Sequence, residues 1–198
     1  MAFPRVVQLD PYDSSRLVSF PLPELSTLWR NTTRTTTGLE VTAGAKHRLP
    51  SSFGGNQLDL HFSFNASAAD ARTFGVRVLT PPAANSSGGV NVTISTKPGS
   101  AFATLGGGAV ATASGPHYPA SRTDFLVSGD TIELRILVDH GLVEIFAEGG
   151  RSTATAWLCA PSPAEDIGVE VFNDGPATLL LSDALSHKVA SVNRLPWE

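Results

Sequence analysis

The chain has 198 residues, 41% of them hydrophobic and 16% charged, which is typical of one folded domain. The formal charge of -4, without a run of Lys and Arg, argues against a nucleic-acid partner. Cys159 is the single cysteine, so an intrachain disulfide and a cysteine-based zinc cluster are excluded. No apolar stretch of about 18 residues predicts a membrane helix. The histidines share no short metal-ligand spacing and are interpreted as surface or turn residues: His47, His61, His117, His140 and His187.

The first third of the chain predicts a strand, a helix and an edge strand. Residues 3–10 alternate weakly and end at Asp10-Pro11, which indicates a short strand followed by a turn. In PLPELSTLWR, Pro23 can open a short helix whose apolar side carries Leu28 and Trp29. Residues 34–42 are rich in Thr, as in an edge strand.

The remaining segments predict strands throughout. Residues 57–64 alternate, and they place Leu58, Leu60, Phe62 and Phe64 towards a core with Asp59, His61 and Ser63 facing out. Residues 97–122 are glycine-rich and are predicted to be irregular, with one or two short strands. Further strands are predicted at 74–80, 90–96, 131–139, 142–147, 152–158, 167–173 and 177–185. Such short strands, with no helix longer than about eight residues, predict an all-β, two-sheet antiparallel β-sandwich.

The segment ELRILVDHGLVEIFAEGGR carries the clearest register. His140-Gly141 is predicted to be a tight turn, which sets Val138 opposite Val143 and Ile136 opposite Ile145. A slip of one residue would mix the two faces, so the hairpin is well specified. The other face receives Arg135, Leu137, Glu144 and Phe146.

Two charge pairs follow from this register. Arg135 and Glu144 lie diagonally on one face and are expected to form an exposed ion pair. Glu133 falls opposite Glu148, with Cβ atoms about 5 Å apart, so the carboxyl groups approach the spacing of a retaining glycosidase pair. A pair at the open end of a hairpin is usually solvated and free to move apart, so we do not interpret it as catalytic.

Three segments carry a resemblance to a known family. LRILVDHGLVEIFAEGGR resembles the strand pair of the C-terminal β-sandwich of glycoside hydrolase family 32, the invertase and fructan-active group. FPRVVQLD with LVSFPLPELSTLWR is similar to the family's last propeller strand and linker, and VEVFNDGPATLLLSDAL follows in the family's order. The resemblance implies a jelly-roll or lectin-like sandwich at 34–198, a linker at 20–33, and a remnant of the catalytic propeller at 1–19.

The family's chemistry, as the resemblance implies, is cleavage at a fructosyl unit by an aspartate nucleophile and a glutamate acid/base on the propeller. Their motifs are Asn-Asp-Pro, Arg-Asp-Pro and Glu-Cys, and none occurs in this sequence. No catalytic, cofactor or metal residue is therefore carried over, and no cofactor is expected. The resemblance implies a structural module of an enzyme acting on sucrose or fructans. Its partner would be the catalytic propeller domain, and the predicted packing residues are Phe3, Val6, Leu9, Leu28 and Trp29.

Two other interpretations stay open. A standalone lectin-like carbohydrate-binding module would need exposed aromatic rings beside polar side chains, because sugar CH faces stack on rings. The candidate sugar contacts are Tyr118, Trp157, Asn173 and Asp174. An enzyme in its own right lacks motifs, although a small subunit of a cleaved enzyme would co-purify with its large subunit.

Four Asn-x-Ser/Thr sequons occur, at Asn31, Asn65, Asn85 and Asn91. About one or two would arise by chance in a chain of this composition, so the excess indicates an ancestor that crossed the secretory pathway. The alternative is accidental sequons in a Ser/Thr-rich chain. MAFPRVVQLD has no apolar run of signal-peptide length. We therefore expect a piece of a longer protein that is secreted or lies in the cell wall or vacuole, with no membrane partner.

Overall fold

A computed structural model describes residues 3–65, 72–81, 88–97, 102–109, 122–127, 129–158 and 167–190. These residues form fourteen strands and three short 3-10 helices. The strands are β1 (Arg5–Asp10), β2 (Asp13–Pro21), β3 (Trp29–Val41), β4 (Lys46–Arg48), β5 (Gln57–Asn65), β6 (Arg72–Thr80), β7 (Val90–Thr96), β8 (Phe102–Ala109), β9 (Arg122–Leu126), β10 (Thr131–Asp139), β11 (Leu142–Ala147), β12 (Ser152–Trp157), β13 (Gly168–Asn173) and β14 (Leu179–Val189). The helices are η1 (Pro23–Leu28), η2 (Ser51–Phe53) and η3 (Glu148–Gly150).

Twelve of the strands form two six-stranded sheets. The first sheet has the order β12-β11-β10-β5-β14-β3, and the second has the order β4-β13-β6-β7-β8-β9. Every strand pair in both sheets is antiparallel. The predicted antiparallel β-sandwich is confirmed. Strands β1 and β2 pair only with each other, and we call this two-stranded sheet the ribbon.

The core lies between the sheets, where alternate side chains of both meet. β5 and β10 contribute the inward rows that their alternation predicts, and all these side chains are buried: Leu58, Leu60, Phe62, Phe64, Ile132, Leu134, Ile136 and Val138. The predicted register of the β10–β11 hairpin is confirmed, with Val138 paired to Val143 and Ile136 to Ile145. His140 occupies its turn with a φ of 55°.

The structure adds strands that the alternation did not indicate. β2 is mostly exposed along its first half and pairs with β1 through Leu9 and Leu17. A polar edge strand has no apolar period to reveal it. The Gly106–Gly108 triplet lies within β8, while residues 110–121 fall outside the described part of the chain. The helix predicted from Pro23 is η1. Within the described ranges, no helix is long and apolar enough to cross a membrane.

Candidate functional site: the face that holds the ribbon

The outward side of the first sheet is covered by the ribbon and by the start of β3. We call the outward residues of β5, β10 and β11, together with the turn η3 and Arg151, the ribbon face. Three polar contacts join it to earlier parts of the chain: Arg5 to Glu144, Asp10 to Arg151, and Trp29 to Asp59. The first two contacts come from the ribbon, so this face is an internal interface between the ribbon and the sandwich. The third comes from the start of β3, which belongs to the first sheet.

Asp59 is the centre of the ribbon face, with none of its surface exposed. Arg135 donates to both of its oxygens, from Nε at 2.9 Å and from Nη2 at 2.7 Å. Trp29 Nε1 donates at 3.0 Å, and His61 Nε2 lies 3.1 Å from Oδ1. Burial opposes ionisation of Asp59, but the contacts with His61 and Arg135 outweigh it and lower the pKa to about 2. Asp59 is thus a buried, ionised carboxylate that ties β3 to β5 and β10.

Trp29 also stacks on His187. Their ring centroids are 3.6 Å apart and the planes differ by 3°, while His61 meets Trp29 edge-on at 6.4 Å. His187 is 5% exposed, and its burial lowers the pKa of the imidazole. The prediction that His187 is a surface or turn residue is wrong, because Trp29 at the start of β3 covers it.

Glu144 pairs with Arg5 of the ribbon. The two side chains approach to 3.1 Å, and the Glu144 side chain is 1% exposed. The Arg5 guanidinium also lies 4.9 Å from the ring centroid of Phe146, as in a cation–π contact. The predicted exposed ion pair between Arg135 and Glu144 is wrong. Glu144 pairs with Arg5 and Arg135 pairs with Asp59. Because these pairs are buried, loss of one partner costs more free energy than it does in a surface pair.

A second ion pair between the ribbon and the sandwich joins Asp10 to Arg151. We call this pair and the pair of Arg5 with Glu144 the clasps. Arg151 Nε and Nη2 donate to the two Asp10 oxygens at 2.7 Å and 3.3 Å, and the guanidinium lies 5.0 Å from the Tyr12 ring centroid. The hydrogen bond lowers the pKa of Asp10 and raises that of Arg151. Beside it, a Cβ on Gly150 would collide with the carbonyl oxygen of Ser19 in β2. The glycine therefore allows the ribbon backbone to approach the turn.

Glu148 and Glu133 were expected to be free to move apart, but the structure shows each carboxylate held by a hydrogen bond. Glu148 Oε1 accepts the backbone N–H of Glu133 at 2.8 Å, and Glu133 Oε1 accepts the hydroxyl of Ser63 at 3.0 Å. Burial raises the pKa of Glu148. Glu148 has a φ of 50°, and the two glycines after it continue with positive φ. The carboxylate helps to hold a tightly wound turn against the end of β10.

A cavity of about 460 Å³ lies between the ribbon and the ribbon face. Its lining combines apolar side chains with a few polar ones: Phe20, Pro21, His61, Glu133, Leu134, Arg135, Phe146, Gly149 and Gly150. Of its charged residues, Arg135 is engaged with Asp59 and Glu133 with Ser63. No group of three His, Cys, Asp or Glu side chains in the described ranges is arranged to hold a metal ion. The charged side chains of this lining therefore bind other residues of the chain.

The predicted packing residues differ in exposure. Phe3, Val6, Leu28 and Trp29 are half-buried, whereas Leu9 is 60% exposed. Trp29 contacts the sandwich through Asp59 and His187, as described above. The sequence did not predict the roles of Arg5, Asp10 and Asp59. They bind Glu144, Arg151 and Arg135, which all lie in the segment LRILVDHGLVEIFAEGGR. The available signal was Leu137 and Phe146 on the outward side of β10 and β11, because large apolar residues there indicate a covered face.

The candidate sugar contacts are not assembled at one place. Trp157 is 44% exposed at the end of the edge strand β12, in the first sheet. Asn173 ends β13 in the second sheet and is fully buried, where its amide donates to the carbonyls of Val41 and Ala177. It therefore offers no exposed atom to a sugar hydroxyl. Asp174 is exposed beside it, and Tyr118 lies outside the described residues.

The sequons occupy different settings. Asn65 is exposed at the end of β5, and Asn91 is half-buried in the middle of the second sheet on β7. Asn31 lies in β3, where its side chain is outside the described part, and Asn85 lies outside the described residues. Glycosylation stays a prediction at all four.

Comparisons with known proteins agree with the fold. The family described as glycosyl hydrolases family 32 C terminal matches residues 24–190. The chain is 31% identical over 221 residues to a sucrose:sucrose 1-fructosyltransferase of Festuca arundinacea, covering 93% of this chain and 32% of that protein. A 30-residue segment is 57% identical to a vacuolar acid beta-fructofuranosidase 2 of a Rosa hybrid cultivar, covering 15% of this chain and 5% of that protein. The chain thus spans less than a third of the length of these curated relatives.

Solved structures show the same architecture. Fructan 1-exohydrolase IIa from Cichorium intybus superposes with a TM-score of 0.76 at 17% identity, over 96% of this chain and 41% of that one. Exo-inulinase from Aspergillus awamori gives 0.62 at 20% identity, over 96% and 36%. The match of the family over residues 24–190, together with this fold, leads to one conclusion: the chain belongs to glycoside hydrolase family 32 and carries the family's C-terminal domain.

Proposed function

We propose that this chain is the C-terminal part of a β-fructofuranosidase-like enzyme that acts on sucrose or fructans, and that its sandwich holds the last strand of the catalytic propeller in place. The observation that carries the proposal is the use of the motif LRILVDHGLVEIFAEGGR. Its Glu144 binds Arg5 of the ribbon, and its Arg151 binds Asp10. The segment that carries the resemblance to the family is thus the segment that binds the ribbon.

The other side of the ribbon supports the proposal through its apolar exposure. Val7 and Leu9 are 60% exposed and Leu17 is 65% exposed. Leu9 pairs with Leu17 across the ribbon, and Val7 is two residues from Leu9, so the three side chains share one face. Isolated two-stranded sheets are marginally stable, and an exposed apolar face is a docking surface. The remaining strands of a propeller blade are a suitable partner for this face.

The role of the sandwich is then mechanical. Paired charges fix the orientation of the ribbon on the sandwich, and the ribbon's apolar face joins the catalytic domain, which would carry the nucleophile and the acid/base. The names of the curated relatives include a vacuolar beta-fructofuranosidase and a fructosyltransferase. A parent enzyme outside the cytoplasm, in the vacuole, the cell wall or the medium, is consistent with these relatives.

The test is release of glucose and fructose from sucrose by the purified chain, alone and after mixing with a separately produced N-terminal part of a homologous enzyme. We expect sugar release only in the mixture, together with a complex that elutes as one species. Activity of the chain alone would contradict the structural role. A mixture that neither assembles nor reacts would contradict the proposed partner.

Two variants sharpen the experiment. Leu9→Glu combined with Leu17→Glu changes the exposed face of the ribbon without touching the clasps, so the chain should stay folded but fail to restore activity. Ser14→Glu adds a carboxylate to an exposed position on the same ribbon and should restore activity like the unchanged chain. Equal loss in both variants would show that added charge, and not the apolar face, is responsible.

A further inference from the structure

We propose that the cavity between the ribbon and the sandwich binds a neutral mono- or disaccharide, and that the bound sugar strengthens the attachment of the ribbon. The cavity measures about 460 Å³, which lies within the usual size range of small-molecule sites. The ribbon contributes Phe20 and Pro21 to the lining, and the sandwich contributes residues of β5, β10, β11 and η3. A ligand in this cavity therefore contacts the ribbon and the sandwich at the same time.

Two polar side chains of β10 line the cavity from neighbouring outward positions. Glu133 and Arg135 lie two residues apart on one strand, so they share a face at a spacing of about 7 Å. Arg135 binds Asp59 through Nε and Nη2, and Glu133 binds Ser63 through Oε1. Within the described part of the chain, Nη1 of Arg135 and Oε2 of Glu133 form no hydrogen bond. A donor and an acceptor are thus open to a ligand.

His61 adds a third polar group to the lining. It pairs with Arg135 across β5 and β10, and its side chain is 35% exposed. Nε2 of His61 lies 3.1 Å from Asp59, so Nδ1 is on the other edge of the ring. An imidazole nitrogen can donate or accept, depending on the tautomer. The cavity therefore combines one donor, one acceptor and one group that can be either, which matches adjacent sugar hydroxyls.

The apolar part of the lining suits the CH face of a sugar ring. Phe20 is half-buried at the end of β2, and Phe146 on β11 is 2% exposed. The Arg5 guanidinium lies over the Phe146 ring, so Phe20 supplies the more accessible ring. Gly149 and Gly150 have no side chains and leave room beside it. A sugar can pack on Phe20 while its hydroxyls face β10.

The charges around the cavity favour a neutral ligand. The Arg135 guanidinium is compensated by the ionised Asp59, and Glu133 adds a further negative charge. An anion would be repelled by Glu133, and a cation would lie beside the Arg135 guanidinium. A sugar hydroxyl pair can accept from the guanidinium and donate to the carboxylate without bringing a charge. The ligand class with the best match is therefore a neutral sugar.

Sugar binding is coupled to the ribbon through the two-sided lining. A ligand that needs both walls binds only the form in which the ribbon is attached, and it stabilises that form as its concentration rises above the dissociation constant. The clasps hold the ribbon through charges, whereas the sugar would bridge Phe20 of the ribbon to Glu133 and Arg135 of β10. The bound sugar thus makes the attachment of the ribbon respond to sugar concentration.

The inference does not rest on the proposed function, because every residue of the lining belongs to this chain. The full chain, labelled with the nitrogen isotope for amide NMR, is titrated with sucrose and with glucose. We expect saturable shifts at Phe20, Glu133, Arg135 and Gly149, with the amides of β7 in the second sheet unchanged. Sodium sulfate is the charged comparison and should give no saturable shift at these residues. Shifts that never saturate with either sugar, or saturation with sulfate alone, overturn the site.

Three variants test the assigned side chains. Glu133→Gln keeps an oxygen for Ser63 but removes the carboxylate, so the dissociation constant for sucrose should rise about tenfold. Phe20→Leu keeps an apolar side chain but removes the flat ring, and it should also weaken binding. Glu40→Gln is the matched control, because it removes an exposed carboxylate from β3 outside the cavity lining. Equal affinity in all three variants overturns the roles of Glu133 and Phe20.

Hydrogen exchange tests the coupling to the ribbon. At a sucrose concentration of about ten times the dissociation constant, exchange through ribbon detachment should slow about tenfold in β1 and β2. Glu133→Gln in the same sucrose solution controls for the general stabilising effect of sugars on folded proteins, and its ribbon should be protected much less. Exchange that does not respond to sucrose, or that slows equally in Glu133→Gln, overturns the bridging role. The mixing experiment with the N-terminal part is unaffected by either result.

Discussion

The sandwich interior and the ribbon are held by different kinds of contact. The interior is a continuous apolar layer from both sheets, in which residues such as Leu60, Phe64 and Ile136 are at most 1% exposed. The ribbon is held by Arg5, Asp10 and a backbone approach at Gly150. An apolar layer spreads its stabilisation over many side chains, whereas a charge clasp concentrates it in a few. Single substitutions should therefore separate the attachment of the ribbon from the folding of the sandwich.

The largest effect is expected at Asp59, a buried carboxylate on the outward side of β5 that binds Trp29 of β3 and Arg135 of β10. Asp59→Ala leaves the Arg135 guanidinium and the Trp29 N–H without their buried acceptor, so we expect the free energy of unfolding to fall by about 3–5 kcal/mol. Urea unfolding followed by tryptophan fluorescence measures it. Asp183→Ala removes an exposed carboxylate from β14 of the same sheet and should change stability by less than about 0.5 kcal/mol. Equal effects would contradict the role of burial.

The pH dependence of stability tests the buried charge of Asp59 with a substitution that keeps the size of the side chain. Its folded pKa of about 2 lies below the usual aspartate pKa of 3.8, so the ionised form stabilises the fold above about pH 4. That contribution, about 2–3 kcal/mol, is lost as the pH falls through 2. Asp59→Asn should be less stable than the unchanged chain at pH 6, and the gap should narrow between pH 4 and pH 2. A constant gap would mean that Asp59 is not ionised in the fold.

A somewhat smaller effect is expected when the ribbon loses its cation. Arg5→Met leaves the Glu144 carboxylate buried and unpaired, which costs about 3 kcal/mol unless the ribbon lifts and water enters. Hydrogen exchange should therefore accelerate in β1 and β2 while the β5–β10 amides stay protected. Arg16→Met is the matched control, because the Arg16 side chain is 54% exposed on the same ribbon and forms its ion pair with Asp13, which is also exposed. Restored protection in Arg5→Met with Glu144→Leu would confirm the buried charge as the cause.

Alanine substitutions at two adjacent glycines distinguish the cost of backbone strain from the cost of a steric clash with the ribbon. Gly149 and Gly150 both have positive φ, of 65° and 89°, but only a Cβ on Gly150 would meet the Ser19 carbonyl. Gly149→Ala should cost about 1 kcal/mol from strain alone. Gly150→Ala should cost about 2 kcal/mol and should also speed cleavage of the ribbon by a protease. Equal protection of the ribbon in the two variants would contradict the close approach.

The smallest effect is expected at Glu148, and it has the opposite sign. Burial raises the folded pKa of Glu148, so its ionised form costs stability above that pKa, and the cost disappears as the pH falls towards 4.5. Glu148→Gln keeps an oxygen for the Glu133 N–H and removes the charge. We expect a gain of less than about 1 kcal/mol at pH 7 and none at pH 4, since the group is partly exposed. A loss at pH 7 would show that attraction to Arg151 dominates.

The sequence predicted the sandwich because its inward rows alternate over long stretches. Six residues of β10 pair with six of β11 in one register, and a slip would expose Ile136 and Ile145. The pairings on the ribbon face were not predicted. Outward polar residues look alike in sequence whether they meet water or a distant segment, and Arg5 lies 139 positions before Glu144. Local periodicity holds no information about such a partner.

The same limit applies to the predicted sites. The sequence predicts one interface for Val6 and Leu9, yet Val6 is half-buried in β1 and Leu9 is 60% exposed. Alternation could have separated them, since residues three apart on a strand face opposite ways. The turn sequence at Asn173 predicts an exposed amide, whereas this amide donates to the carbonyls of Val41 and Ala177, which the fold brings together. Burial of a polar side chain at a turn depends on strands brought in from elsewhere.

Strand order also governs how the chain can be made. β14 lies between β3 and β5, so Leu179–Val189 supplies hydrogen bonds to both. During biosynthesis β5 waits with one edge unpaired until residue 189 has left the ribosome. Pairing over such sequence distances is slow, and an unpaired strand edge is a site of aggregation. A molecular chaperone that occupies β5 during synthesis should therefore raise the yield of folded chain, and loss of β14 should be the most damaging truncation of any single strand.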